Sequence, residues 1–489
     1  MKVLSSASSP VAVIGAGPVG LAAAAHLVQR GLPVVVLEAG SIVASHLASY
    51  RQVRLFSPWR YNIDRAAREL LDASGWLAPV LDKLPTAGEL VEDYLVPLAR
   101  TSALAPHIHF GNRVVAISRD GYDKAKTAGR EQADFVLQIQ TAEGLRELHA
   151  SAVIDASGTW SQPNPLGVHG LPVLGEADAR AQIVHGMPDV LGTDRSRYAG
   201  RKVLVVGAGH SAAGNLLALA TLAEEEPGTR LAWAVRGNDL RRLFGGGEND
   251  GLPARGELGV RLRALVDQGR LEMHLGFGIR EVAPGPKGLR VLAVDAAKAP
   301  IEGVDEIIAS TGARPDLSIA RELRLRLDPW LESTDELAPL IDPNVHSCGT
   351  VRPHGHRELA HPEAGFYAIG AKSYGRAPNF LLATGYEQAR SVVAALAGDL
   401  SAADDVQLEL PQTGVCSVDL ASPPSGGADM GCCGGPAKAD TTACCVLDEA
   451  SKVQGKSGCG CGSKSSSPPV EPANPATRSA VPAAAACCG

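Results

Sequence analysis

The sequence predicts an α/β fold with two dinucleotide-binding units, and two glycine fingerprints about 190 residues apart carry that prediction. The first reads Val-Ala-Val-Ile-Gly15-Ala-Gly17-Pro18-Val-Gly20, and the second reads Val-Leu-Val-Val-Gly207-Ala-Gly209-His210-Ser211-Ala212. Each follows an apolar, strand-like run and opens a helix-like one, the context that a phosphate-binding turn requires. The first glycine permits the tight turn, and the second lets the backbone approach a pyrophosphate. The third small residue lets helix and strand pack closely, so that N–H groups at the helix start face the anion. Two such units in one chain imply two bound dinucleotides with electrons passing between them.

The elements follow in order. Residues Val11 to about Glu38 read as strand, turn, helix and strand, with Leu21 to Gln29 an alanine-rich helix ended by Gly31. Val34 to Leu37 is a buried parallel strand. Mixed helices and loops are expected to about residue 150, then a strand from Val153 running into a turn at Gly158 and Thr159. The second fingerprint begins at Lys202, and Arg230 to Arg236 is the second strand of that unit. Glu306 to Gly312 is another strand-to-glycine turn, Gly365 to Gly370 one more strand, and Tyr386 to Leu400 a closing helix. The simplest account is two Rossmann-like domains: a FAD domain in two segments, 1–165 and 311–400, with an NADPH domain, 166–310, inserted between them.

The strand ends distinguish the two cofactors. Glu38 lies about 18 residues beyond Gly20, where an acid accepts hydrogen bonds from an adenosine ribose. FAD is favoured over NAD at this first site because the domain returns near the C-terminus. The second unit ends its strand with Arg236, whose guanidinium can grip a 2′-phosphate that a carboxylate would repel. A charge-assisted bond worth roughly 1.5–3 kcal/mol favours NADPH over NADH about 10- to 150-fold. Arg241 and Arg242 can assist.

Composition bounds the rest. The net charge of -7, without a lysine-arginine cluster, argues against nucleic-acid partners. No apolar run is long enough to span a membrane, and Met1 to Pro10 lacks the features of a signal peptide, so a soluble cytoplasmic protein is expected. Its cysteines are then thiols. From about Ser401 the composition turns to Gly, Ser, Pro and Ala, with no aromatic residue after Tyr386. Such a segment cannot offset an ordering entropy of roughly 1–2 kcal/mol per residue, so 401–489 is expected to be a disordered tail.

That tail holds nine of the ten cysteines. Cys432-Cys433, Cys444-Cys445 and Cys487-Cys488 are vicinal pairs, and Cys459 and Cys461 flank a glycine. Adjacent thiols on flexible chain suit soft ions such as cuprous copper and trivalent arsenic. The remaining cysteine, Cys348, lies in the loop His346-Ser-Cys348-Gly-Thr-Val-Arg352-Pro-His354-Gly-His356. Three histidines and a cysteine there can hold a metal, present Cys348 to a substrate, or shape a constrained loop. Arg51 to Asp64 packs basic and aromatic residues into a loop that lines a flavin or substrate entrance, or simply anchors itself on the surface.

Taken together, GAGPVG with Glu38, GAGHSA, DASGTW from Asp155, STGARP from Ser310 and GFYAIGAKSYGRAPNF from Gly365 resemble the two-dinucleotide-domain flavoproteins. In particular they resemble the FAD- and NADPH-dependent monooxygenases, and within these the flavin monooxygenase-like proteins associated with bacterial arsenic-resistance operons. The resemblance covers about residues 10–400. It implies that the turns around Gly158 and Gly312 line the cofactor clefts. It also implies that the Gly370 strand delivers the flavin to the domain interface, and that a helix starting near Thr384 faces the isoalloxazine. Two departures stand out. An aspartate often follows the Gly370-type strand and bonds the ribityl chain, whereas Ala371-Lys372 follow here. Of the monooxygenase motif that precedes the second fingerprint only His185 and Asp189 fit, with Ala179 and Ala181 where Phe and Gly belong. His185 then gates a cofactor or serves as a hinge and packing residue.

The expected chemistry is NADPH oxidation through FAD. A disulfide reductase needs a cysteine pair beside the flavin or inside the NADPH domain, and no cysteine precedes Cys348. A monooxygenase-like enzyme acting on a small molecule, with a trivalent arsenical favoured, is the first expectation. A thiol or metal reductase using the tail cysteines, losing turnover when residues after about 405 are removed, is a rival. A metalloid-sequestering, redox-sensing flavoprotein is another. The sequence leaves the oligomeric state open.

Overall fold

The first strands form because their residues are apolar without interruption and end in glycine turns. The computed structural model describes residues 9–238, 244, 253–346 and 351–410. Arg241, Arg242, Cys348 and all the tail cysteines lie outside them. The N-terminal part comprises β1 (Val11–Ile14), α1 (Pro18–Gln29), β2 (Val34–Leu37), α2 (Arg65–Ala73) and β3 (Ile108–His109). It continues with β4 (Arg113–Arg119), β5 (Phe135–Thr141), β6 (Gly144–Ala150) and β7 (Ala152–Asp155). The middle part contains β8 (Ile183–His185), β9 (Lys202–Val206), α3 (His210–Glu225), β10 (Arg230–Ala234) and α4 (Pro253–Asp267). There follow β11 (Glu272–His274), β12 (Ile279–Gly285), β13 (Gly288–Ala293), β14 (Ile301–Val304) and β15 (Glu306–Ala309). The chain then returns through β16 (Phe366–Ala368), α5 (Leu382–Leu396) and α6 (Leu400–Asp404).

Two parallel five-stranded sheets result. The first has the order β16-β7-β1-β2-β3, so the return segment completes the N-terminal sheet. The second has the order β11-β10-β9-β15-β8 and draws only on the middle part. Each sheet is covered on both faces. Val11 and Val13 point into the core shared with α1 and α5, while Ala12 and Ile14 point into the core shared with β4–β6. In the second sheet Val203 and Val205 face α3 and α4, and Leu204 and Val206 face β12–β14. Continuous apolar runs are what a two-sided burial demands.

Three expectations change. The stretch expected as helices and loops to residue 150 contains the antiparallel sheet β4-β5-β6. In β5 Phe135, Leu137 and Ile139 are buried while Val136 and Gln138 between them are half-buried, a period-2 signal that a search for unbroken apolar runs passes over. The closing helix begins at Leu382, and the chain breaks after Ala397, with Gly398 at a positive φ. It then resumes as α6, within the stretch expected to be disordered tail. Asp399 caps α6 through the Ala402 N–H at 3.1 Å, Ala403 packs on Ala394 and Ala395, and Asp404 pairs with Arg357 and His356. No helix among the described residues is long and apolar enough to cross a membrane.

A buried ion cluster ties β4–β6 to the return segment. Arg119 and Arg130 each donate to a different oxygen of Glu363 at 2.8 Å, and the Arg324 N–H adds a bond at 2.9 Å. Arg119 also lies 3.6 Å over the Phe135 ring. Replacing Glu363 strands two buried cations, so Glu363→Ala is expected to cost roughly 3–5 kcal/mol, read as a lower denaturant midpoint at unchanged slope. Burial lowers His361 from its ordinary value to about 4, and lowers His354 as well. The unfolded chain therefore takes up protons that the folded chain refuses. Stability is fully present above about pH 6.5 and falls as the pH drops from there toward 4. His361→Gln is expected to flatten the melting temperature against pH across that window.

Candidate functional site: two dinucleotide cradles and their junction

At the C-terminal end of β1 the chain turns at Gly15, whose φ is 97°. A Cβ at Gly15 would lie 2.9 Å from the Ala156 carbonyl oxygen, and one at Gly20 would lie 2.0 Å from the Gly15 carbonyl oxygen. Gly17, by contrast, faces open space with nothing within 4 Å. It is the N-cap of α1, carries no side chain to satisfy the helix, and is followed by Pro18. The first turn of α1 thus offers bare N–H groups and the positive end of the helix to an anion. Glu38, buried at the end of β2, accepts from Ala16 N at 2.8 Å, Gly40 N at 2.7 Å and Ser45 Oγ at 3.2 Å. A carboxylate has about four acceptor positions, so Glu38 shapes the turn and keeps room for a ribose hydroxyl.

The other side of this cradle comes from far along the chain. Gly158 and Gly370 both adopt positive φ, and Gly370 packs against Val19. Gly385 allows α5 to press on α1, since a Cβ there would meet Val19 Cγ2 at 2.6 Å. The N-terminus of α5 has no side-chain cap, and Thr384 is buried in its first turn. Two uncapped helix ends and a glycine turn therefore meet at one sheet edge, a shape that suits a long dinucleotide such as FAD.

The second cradle repeats the first. Gly207 has φ 129°, and a Cβ would fall 2.3 Å from the Ser310 carbonyl oxygen. Trp233 Nε1 donates to the Gly207 carbonyl at 2.8 Å and holds the turn from below. Gly209 is open, and α3 starts without a side-chain cap at His210, with Ser211 half-buried and Ala212 buried. Arg236 is exposed two residues beyond β10, on the same side of the sheet as this turn.

Between the cradles the loop after residue 50 does more than anchor itself. Phe56 meets the His210 ring edge-on at 5.3 Å, and Gln52 Nε2 donates to the Met187 carbonyl at 2.9 Å. The Tyr50 ring lies tilted against Trp160 at 4.6 Å, and a Cβ of Gly186 would be 2.8 Å from the Trp160 ring. Burial pushes the Tyr50 hydroxyl up to about 12. Asn215, one helical turn after Ser211, donates to the Gly186 carbonyl at 2.9 Å and to Ser310 Oγ at 3.0 Å. Tyr50 carries no local sequence signal, whereas Gln52 lies in the loop from Arg51, Trp160 ends the DASGTW stretch, and Asn215 stands at i+4 from Ser211 of the fingerprint.

His185 ends β8, paired with Ala309, and so stands at this junction rather than inside either cradle. Burial lowers its pKa against the opposing charge of Glu176, so the ring is neutral at pH 7. Its buried Nδ1 makes no hydrogen bond. Asp189 serves the next turn, accepting from Thr193 N at 3.1 Å.

The histidines of the 346–356 loop do not converge. His346 bonds the Pro339 carbonyl, and His356 pairs with Asp404 at 3.0 Å. His354 Nδ1 donates to the Arg352 carbonyl, while its Nε2 accepts from Gln388 Nε2 at 2.9 Å. Gln388 in turn accepts from Gly370 N at 2.7 Å, so this loop braces the glycine turn of the first cradle. Among the described residues no three His, Cys, Asp or Glu side chains are grouped to hold a metal; Cys348 lies outside them.

The two connections between the sheets run side by side. Asn164 N donates to the Gly312 carbonyl and Arg314 N to the Gln162 carbonyl, each at 2.9 Å. The Asn164 side chain bonds the Thr311 carbonyl and accepts from Arg314.

Several known proteins are similar to this chain. A bacillithiol disulfide reductase from Bacillus cereus superposes with a TM-score of 0.59 at 19% identity, covering 80% of this chain and 99% of its own. The ornithine N-hydroxylase of Kutzneria sp. 744 gives 0.53 at 16% identity, covering 80% and 99%. In sequence, indole-3-pyruvate monooxygenase YUCCA1 of Oryza sativa subsp. japonica is 30% identical over 205 residues, which is 41% of this chain and 42% of the relative. The chain thus spans less than half the length of that relative. The family of pyridine nucleotide-disulphide oxidoreductases matches residues 12–349, across both glycine fingerprints. The chain belongs to the pyridine nucleotide-disulphide oxidoreductase family.

Proposed function

We propose that this protein is an NADPH-oxidising, FAD-dependent monooxygenase whose substrate is a trivalent arsenical or a related thiophilic species. One observation carries the reading. The two cradles adjoin through Phe56 and His210, and the described residues contain no cysteine, so they supply no dithiol of their own to receive the electrons. Sequence similarity to a plant monooxygenase agrees with it. FAD, when bound, supplies the transfer of a hydride's two electrons from NADPH to the acceptor.

The residues of the chain have separate tasks in this reading. Glu38 orients the adenosine of FAD, and the bare first turns of α1 and α3 hold the two pyrophosphates. Arg236 selects the 2′-phosphate. Phe56, Tyr50 and Trp160 keep water from the junction, which a site handling oxygen needs. Neutral His185 stands beside it as a proton acceptor or a gate. Cys348, outside the described residues, takes the substrate-facing role expected from the sequence. Cys432, Cys433, Cys444, Cys445, Cys459, Cys461, Cys487 and Cys488, outside the described residues, capture the soft ion.

Those four cysteine pairs also favour a second reading, in which the tail thiols accept the electrons and the protein is an NADPH-dependent thiol or metal reductase. A third, sequestration with the flavin as redox sensor, predicts tight arsenite binding without substrate-stimulated NADPH loss. Full-length, FAD-loaded protein separates them. An arsenical is expected to speed NADPH loss and oxygen uptake together, without matching peroxide. Removal of residues after 410 should spare that turnover if the acceptor is oxygen, and abolish it if the tail is the acceptor. Arg236→Glu is expected to lower kcat/KM for NADPH roughly 10- to 150-fold, with NADH little affected; equal losses with both would dismiss a phosphate contact.

A further inference from the structure

The residue pair that departs from the family resemblance, Ala371-Lys372, contains a buried cation. Lys372 is 3% exposed and Asp155 0%. Lys372 Nζ lies 2.6 Å from Asp155 Oδ2 and donates to Ser157 Oγ at 3.0 Å. The other oxygen of Asp155 accepts from Ser157 Oγ at 2.6 Å and from Ser157 N at 3.1 Å. The three side chains form a closed set spanning 215 residues of sequence between Ser157 and Lys372. A cavity of about 20 Å³ beside them, lined also by Asp316, Ser333 and His361, has room for one water molecule.

The position of this set gives it a consequence. Ala156 lies between its two members in the turn, and the Ala156 carbonyl is what the Gly15 turn rests against. Ala156 N is bonded to the Ile14 carbonyl at 3.0 Å, and Ile369 N to the Asp155 carbonyl at 3.0 Å. The ammonium thus joins the Gly370 turn, the Asp155–Gly158 turn and the first fingerprint into one wall of the cradle. Two charges taken out of water are costly, and an apolar pair of equal volume would serve packing at least as well. What the ion pair adds is a fixed direction for the turn.

We propose that Lys372 is a positioning residue for FAD: through Asp155 and Ser157 it sets the Asp155–Gly158 turn against Gly15, the task that an acid after the Gly370 strand performs by direct contact in the proteins the sequence resembles. The inference rests on FAD occupying the first cradle and on nothing about the substrate.

The test uses the full-length protein stripped of FAD and titrated with it, following flavin fluorescence and the visible absorption bands, with melting of the FAD-free chain measured alongside. Lys372→Met is expected to weaken FAD binding roughly tenfold or more and shift the flavin bands, while Lys372→Arg restores both to near wild type. Because Lys372→Met leaves Asp155 buried and unpaired, the double variant Asp155→Asn with Lys372→Met guards against a chain that does not fold. The double variant should fold and still bind FAD weakly. If it folds and binds FAD as tightly as wild type, the pair is a packing feature and the proposal is wrong. Wild-type protein that takes up no FAD would overturn the cofactor assignment, and this inference with it.

Discussion

Both cofactor turns depend on one contact made twice: a glycine without a side chain lying against a carbonyl of the neighbouring strand end. Gly15 rests on Ala156 and Gly207 on Ser310, with room for no Cβ in either place. The contact forces the chain out of the strand at a fixed angle, so the helix that follows starts over the sheet edge with its N–H groups bare. The strands supplying the two carbonyls, β7 and β15, are also those that lead into the connections between the halves. One close approach therefore fixes a phosphate cradle and the exit of the chain toward the other domain.

The two halves solve the same packing problem in the same way. A parallel sheet is apolar on both faces and must be covered twice. Here helices cover one face and a three-stranded antiparallel sheet covers the other, in each half. The cradles are left at the sheet edges, where the parallel strands end together. The buried Glu363 cluster and the Lys372–Asp155 pair both link the return segment to residues well over a hundred positions earlier, so the first half is held by polar contacts as well as by its core.

What could be read from the sequence was local. The fingerprints, Glu38 at the end of β2 and the strands ending at Asp155 and Ala309 were legible because strand, turn and helix succeed one another within a few residues, and the glycine requirement is a property of the turn itself. β4–β6 went unread because their apolar runs are broken, with only alternate residues buried in β5, while the helix expected near Thr384 begins at Leu382. Asp155 against Lys372 and Phe56 against His210 leave no trace in spacing, since nothing but the closed fold brings them together. Of the readings open for the 346–356 loop, closeness in sequence could not choose: His346, His354 and His356 each bond a different partner.

The paired connections at Asn164 and Gly312 have an architectural consequence. The chain leaves the first half and re-enters it at points one hydrogen bond apart. The middle part is therefore a cassette, topologically a loop whose two ends touch. Cutting it out and joining the ends with a short turn would leave the strand order of the first sheet intact. Neither sheet threads a strand through the other, so a change within the middle part need not re-route the first.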